Sequence, residues 1–338
     1  MTASAPDPRP LNTSADPRDP LGLAADAPLL AAWLDWGARV QSGSLTPMGT
    51  PGHKQRRDLT GAVVAGDAPL YGGLDSIKHA DQLRAEAEAR AAVLWGADWC
   101  RFSVAGSTHG NQAFCLALGQ PGQEVIITRT VHRSLLLGLV LAGLRPVWVR
   151  PDVDPGSGLP AAVAVHAVRD ALAAHPAACG VILGDPSYVG TVGDLAGHAR
   201  AAHEAGVPLI VDAAWAAYLG FHADLPPHAI AAGADAMVTS AHKTLPAYTQ
   251  GALVLARTRR LDEARLNRAF EATHTTSPSG TIMASVDPAQ QTAAQPRPGG
   301  GCARYRAWTS STVPGWTRPS SSSCWPVPGP TATWWRPT

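Results

Sequence analysis

From position 81 onward the chain alternates short, almost wholly apolar runs with longer alanine-rich stretches. The runs at 124–129, 146–150, 180–183, 209–212, 236–240 and 252–256 have strand length and composition. The intervening segments 81–95, 109–118, 132–142, 159–174 and 194–205 predict helices, and 28–41 predicts another upstream. Strands apolar on both faces and separated by helices of roughly 10–15 residues predict an α/β fold, a mostly parallel sheet sandwiched by helices. Ligands of such sheets bind beyond the carboxyl ends of the strands, so polar residues that directly follow a strand are the first candidates for chemistry.

The ends of the chain lack this alternation. Residues 1–27, dominated by Pro, Asp, Ala and Ser, predict a flexible leader, and 28–287 the folded domain. From 288 to 338 there is no Asp or Glu, while Trp, Pro, Ser, Gly and Arg accumulate without period. A native domain of that length carries acidic residues to solvate its surface. The expectation is therefore that 288–338 is an acid-free, low-complexity tail, read out of frame or otherwise not a native domain. An uninterrupted frame on resequencing the coding DNA would leave only a disordered tail.

Composition narrows the function. The 338 residues are 45% hydrophobic, enough for a substantial core, and 27 basic against 26 acidic side chains give a net charge of +1. That balance offers no electrostatic case for nucleic acid or a membrane surface, leaving small-molecule chemistry. Cys100, Cys115, Cys179, Cys302 and Cys324 form neither a CxxC pair nor a disulfide framework, and no metal site is expected. The apolar run 135–144 is too short to span a membrane, and the Pro-, Asp- and Ala-rich N-terminus does not read as a signal peptide; a cytoplasmic location is expected.

Two post-strand segments carry the chemistry: Val-Asp-Ala-Ala-Trp at 211–215 and Ser-Ala-His-Lys-Thr at 240–244. A lysine partly withdrawn from water can lose its proton and act as the amine nucleophile that a cofactor aldehyde requires, which marks Lys243. A carboxylate held against a pyridine nitrogen keeps that nitrogen protonated, which marks Asp212. Taken singly, Asp212 is as well read as a strand-end cap and Lys243 as a surface residue; their joint position after consecutive strands favours a site. The small-residue turn Val-Ala-Gly-Ser-Thr-His-Gly-Asn at 104–111 leads into a helix, and Ser107 and Thr108 there are phosphate-site candidates, or plain helix caps. It is neither GxGxxG nor a P-loop, against a dinucleotide or nucleoside triphosphate. His132, after the 124–129 strand, could stack on a flat heteroaromatic ring or simply cap a helix.

Together with Pro-Gly-His-Lys at 51–54, Gly-Leu-Asp-Ser-Ile at 73–77, Val-His-Arg-Ser at 131–134, Asp-Pro-Ser-Tyr-Val-Gly at 185–190 and Thr-Thr-Ser-Pro at 275–278, these segments resemble the major domain of the ornithine/lysine/arginine decarboxylases. The likeness runs from about 46 to 287. It implies the aspartate-aminotransferase type of fold, pyridoxal phosphate as cofactor, a homodimer, and conversion of a basic amino acid to its amine and carbon dioxide. It also implies roles: Lys243 as the Schiff-base lysine, Asp212 at the pyridine nitrogen, and His132 over the ring. Ser107, Thr108, Ser240 and His242 would hold the phosphate or the ring's polar edge. Trp215 would lie beside the cofactor, and Thr275 or Thr276 would reach a neighbouring subunit's site. Two departures stand out: Gly280 where the family has an aromatic residue, and no recognisable C-terminal domain. Another pyridoxal-phosphate enzyme of the same fold, an aminotransferase or lyase, and an inactive truncated member are the rival expectations.

Overall fold

The computed structural model describes Asp19 and residues 22–47, 52–56, 58, 66–68 and 82–294. The Gly-Leu-Asp-Ser-Ile segment at 73–77, most of the expected leader and the tail from 295 lie outside the described residues. After a short 3-10 turn at Leu23–Ala25, the described α-helices and strands in chain order are α1 (Pro28–Gln41), α2 (Gln82–Trp95), β1 (Trp99–Ser103), α3 (Gly106–Leu118), β2 (Glu124–Thr128), α4 (Arg133–Ala142) and β3 (Arg145–Val149). Then come α5 (Val165–Ala174), β4 (Val181–Gly184), α6 (Leu195–Glu204), β5 (Leu209–Asp212), β6 (Ala236–Thr239), α7 (Ala241–Thr244), β7 (Ala252–Ala256), α8 (Glu263–Thr273) and α9 (Gly280–Ala294).

The strands form one seven-stranded sheet in the order β1-β7-β6-β5-β4-β2-β3. β2, β3, β4, β5 and β6 run parallel, while β7 is antiparallel to both neighbours, β6 and β1. Side chains alternate across the sheet, and the alternation generates two hydrophobic layers. Val181, Leu183, Leu209, Val211, Met237 and Leu253 point into one layer, with Trp95 of α2, Leu172 of α5 and Met283 of α9. Val125, Ile127, Ile182, Ile210, Val238 and Val254 point into the other, against Phe114 of α3, Leu135 of α4 and Phe270 of α8. Burying each large aliphatic side chain in this way contributes about 1.5–3 kcal/mol. β3, at the sheet edge, is the strand whose residues are mostly exposed or half-buried.

The expected strands are all present to within a residue or two. β1 was not expected; Arg101 interrupts its apolar character but is carried at the edge, with its guanidinium over the Trp99 ring. The helix expected over 159–174 begins only at Val165, because Pro160 is held in an isolated bridge to Val153. His132 and Asp194, expected inside helices, are the N-caps of α4 and α6, where their side chains accept backbone N–H groups. α8 and α9 are additions, and α9 runs through Pro288 to Ala294, across the boundary expected at 287. Asp287 Oδ2 accepts the Leu29 N–H at 2.9 Å, fastening α9 to the first turn of α1.

Candidate active site

The carboxyl ends of β5 and β6 lie side by side because the strands pair in parallel register, Asp212 opposite Val238. Asp212 is the last residue of β5 and is buried. Its Oδ2 accepts Asn111 Nδ2–H at 2.8 Å and its Oδ1 accepts the Ala214 N–H at 3.2 Å. Burial pushes its carboxyl up from the ordinary range; the Asn111 and Ala214 donors, with His132 and Lys243 nearby, pull it back. One strand over, past the end of β4, Asp185 donates its N–H to the Asp212 carbonyl at 3.0 Å. Its own carboxyl, pushed up to about 7 by burial, accepts the Gly193 N–H at 2.6 Å.

Lys243 lies on the single turn α7 that follows β6 and Ser240. Its Nζ sits 4.2 Å from the centroid of the Trp215 ring, a cation–π contact, and Trp215 in turn meets Tyr188 edge-on at 6.0 Å. Burial lowers the lysine's affinity for its proton, and the Asp212 charge opposes that. A half-buried amine and a buried carboxylate that act on each other across adjacent strand ends are thus present in one site.

Ser107, in the first turn of α3, and Ser240, the N-cap of α7, are both buried, and their hydroxyls bond each other at 2.7 Å. Gly106, with φ +72°, turns the chain into α3 in the left-handed region where a side chain would be strained. Thr108 is exposed on that same turn. His242 uses Nδ1–H to hold the Gly251 carbonyl at 2.9 Å, leaving Nε2 as its free ring nitrogen. His132 lies at the start of α4 with Nδ1 2.8 Å from Ser134 Oγ, and Ser134 Oγ accepts the second Nδ2–H of Asn111 at 2.9 Å. Asn111 and Ser134 were not singled out from the sequence, although both fall within segments noted there. The available signal was spacing: Asn111 stands four residues after Ser107, on the same face of α3. Thr275 and Thr276 are exposed on the loop between α8 and α9, away from these contacts; Thr275 Oγ1 accepts the Ser277 N–H at 3.1 Å. Of the Pro-Gly-His-Lys segment, His53 is paired with Asp67 at 3.1 Å in a turn.

Pyridoxal phosphate fits this set on chemical grounds. The paired buried hydroxyls beside a helix N-terminus suit a phosphate, the buried Asp212 carboxyl, whose two oxygens accept N–H groups, suits a ring N–H, and the half-buried amine suits an aldehyde.

The fold has close counterparts among pyridoxal-phosphate enzymes of fold type I. Lysine decarboxylase A from Pseudomonas aeruginosa superposes with a TM-score of 0.68 at 24% identity, over 81% of this chain and 41% of that one. Serine palmitoyltransferase from Sphingomonas wittichii gives 0.54 at 16%, over 81% and 60%. The sequence defines the family: residues 63–298 match the Orn/Lys/Arg decarboxylase major domain, and the chain belongs to that pyridoxal-phosphate-dependent family. Arginine decarboxylase of Halalkalibacterium halodurans is 33% identical over 249 residues, 71% of this chain and 51% of that protein. The uncharacterized protein YaaO of Bacillus subtilis is 36% identical over 222 residues, 65% and 46% of the two chains. The chain thus spans about half the length of these curated relatives.

Proposed function

We propose that this chain binds pyridoxal phosphate through Lys243 and acts in the decarboxylation of a basic amino acid, arginine, lysine or ornithine, to the amine. The observation that carries the reading is the placement of a buried carboxyl, Asp212, at the end of β5 and a half-buried amine, Lys243, just past the end of the paired strand β6. Family membership and arginine and lysine decarboxylases among the relatives favour this substrate class.

When bound, the cofactor supplies an electron sink for the pair left on the α-carbon as carbon dioxide departs. Lys243 provides the covalent anchor, and its lowered proton affinity raises the fraction of free amine available for attack. Asp212 holds a proton on the pyridine nitrogen; burial strengthens that interaction by excluding water. Ser107 and Ser240, helped by Thr108 and His242, bind the phosphate. His132 would lie against the ring face, and Trp215, 4.2 Å from Lys243 Nζ, would border the anchor. Thr276 contributes in a homodimer to the partner subunit's site.

The dimer has a candidate surface. Leu136, Leu137, Val140 and Leu141 form an exposed apolar stripe on α4, the helix capped by His132, so that a second copy covering it would adjoin the site. Leu137→Glu with Val140→Glu is then expected to convert a dimer to a monomer in sedimentation velocity; an unchanged species would move the interface elsewhere.

Absorbance titration with pyridoxal phosphate tests the central claim. A visible band is expected in the wild type and its loss in Lys243→Ala; a band that survives in the variant rejects Lys243 as the anchor. Carbon dioxide released from arginine, lysine or ornithine supports decarboxylation, whereas a keto acid product identifies an aminotransferase on the same fold.

A further inference from the structure

A chain of hydrogen bonds runs inward from His132 to Asp212 and has a determinable direction. Asn111 donates Nδ2–H to Asp212 Oδ2 at 2.8 Å, while the other carboxyl oxygen, Oδ1, accepts the Ala214 N–H at 3.2 Å. The Asn111 amide nitrogen has two hydrogens, and the second goes to Ser134 Oγ at 2.9 Å. Ser134 Oγ, already accepting, has its own hydrogen free for His132 Nδ1 at 2.8 Å. The Ser134 backbone N–H reaches the same Nδ1 at 3.3 Å. Two donors therefore converge on one ring nitrogen.

Turning the amide over would set its oxygen against the carboxylate, so Asn111 keeps this orientation although its Oδ1 is then buried without a partner. Asn111, Ser134 and Asp212 are 1%, 0% and 6% exposed, so water does not compete for the two Asn111 bonds, while His132 stands exposed at the outer end of the chain.

We propose that Asn111 and Ser134 are positioning residues that fix the neutral His132 ring in a single tautomer, with its hydrogen on Nε2, by relaying the direction of donation set by Asp212. The inference deepens the proposed function, because a fixed ring edge and a carboxylate coordinated through one amide would address the same bound cofactor from two sides. The tautomer itself belongs to the cofactor-free chain and stands whether or not pyridoxal phosphate binds.

Nitrogen NMR of the full cofactor-free chain with ring-labelled histidine tests the proposal, at a pH where the ring is neutral and with His132→Gln to assign the signal. The wild type is expected to show an unprotonated Nδ1 and a protonated Nε2. Ser134→Ala, which removes one oxygen atom and little volume, should move both signals toward the average of two exchanging tautomers. Asn111→Ala should move them in the same sense although Asn111 bonds Ser134 and Asp212, not the imidazole. A protonated Nδ1 in the wild type overturns the proposal whatever Asn111→Ala and Ser134→Ala do, and so do signals unchanged in a folded Asn111→Ala. Loss of cofactor binding with this tautomer retained would count against the proposed function alone.

Discussion

The placement of Asp212 at the end of β5 and of Lys243 just past β6 was legible, because a parallel sheet brings the ends of its apolar strands to one edge. What sequence could not supply was the surroundings that tune them. The Trp215 ring faces the Lys243 ammonium at 4.2 Å and favours its charged form, while burial disfavours it. Trp215→Leu keeps the apolar bulk but removes the ring's attraction, worth about 0.5–2 kcal/mol. The pH at which pyridoxal phosphate reacts half-maximally with Lys243 is then expected to fall in a spectrophotometric titration. A rise would mean that the ring serves to exclude water. Asn111 and Ser134 escaped notice for a related reason: an amide and a hydroxyl acquire their roles from geometry, and nothing in their own chemistry announces it.

At the scale of elements, strands buried on both faces were the easiest to read, since β4 to β7 are apolar nearly throughout. β1 has a charged centre and α9 contains Pro288, each contradicting the local pattern, and both are carried by tertiary packing. α8 was readable and missed: Leu266, Ala269 and Phe270 form its buried stripe, with arginine and glutamate residues around the rest. The seating of α3 on the sheet relies on Gly110, where a Cβ would stand 2.6 Å from Val238 Cγ2 and 2.9 Å from Val254 Cγ2. Gly110→Ala should therefore cost about 1–3 kcal/mol through overpacking, outweighing the gain in helix propensity. Urea denaturation measures it, and an alanine variant as stable as the wild type would show that the two valines yield freely.

Over the whole molecule, the buried ionisable groups divide into two opposed sets. Glu88, Asp185 and Asp287 are raised by burial to about 7, so they keep protons in the folded state that the unfolded chain has released. Stability from them falls as pH rises from the ordinary carboxylate range to about 7. His109 and His228 are lowered by burial to about 4, so the unfolded chain binds protons that the folded one refuses, and their contribution rises with pH up to the usual histidine value. Near pH 5–6 the two sets oppose each other. Asp287→Asn removes one falling component and should gain on the wild type by roughly 1.4 kcal/mol per pH unit across that window. Thermal melts at pH 4 and pH 8 check this: near-equal Tm values at pH 4 and a higher Tm for the variant at pH 8. Equal Tm values at both would mean that Asp287 titrates normally.

The bond from Asp287 to the Leu29 N–H spans 258 residues of sequence. At ribosomal rates of about 5–20 residues per second, the partner emerges on the order of 10–50 s after α1 does. For that interval α1, with Leu29, Leu34 and Trp36 to bury, has no completed seat. A nascent chain therefore exposes α1 until the last described helix is being made, and α1 is the segment on which a chaperone would act.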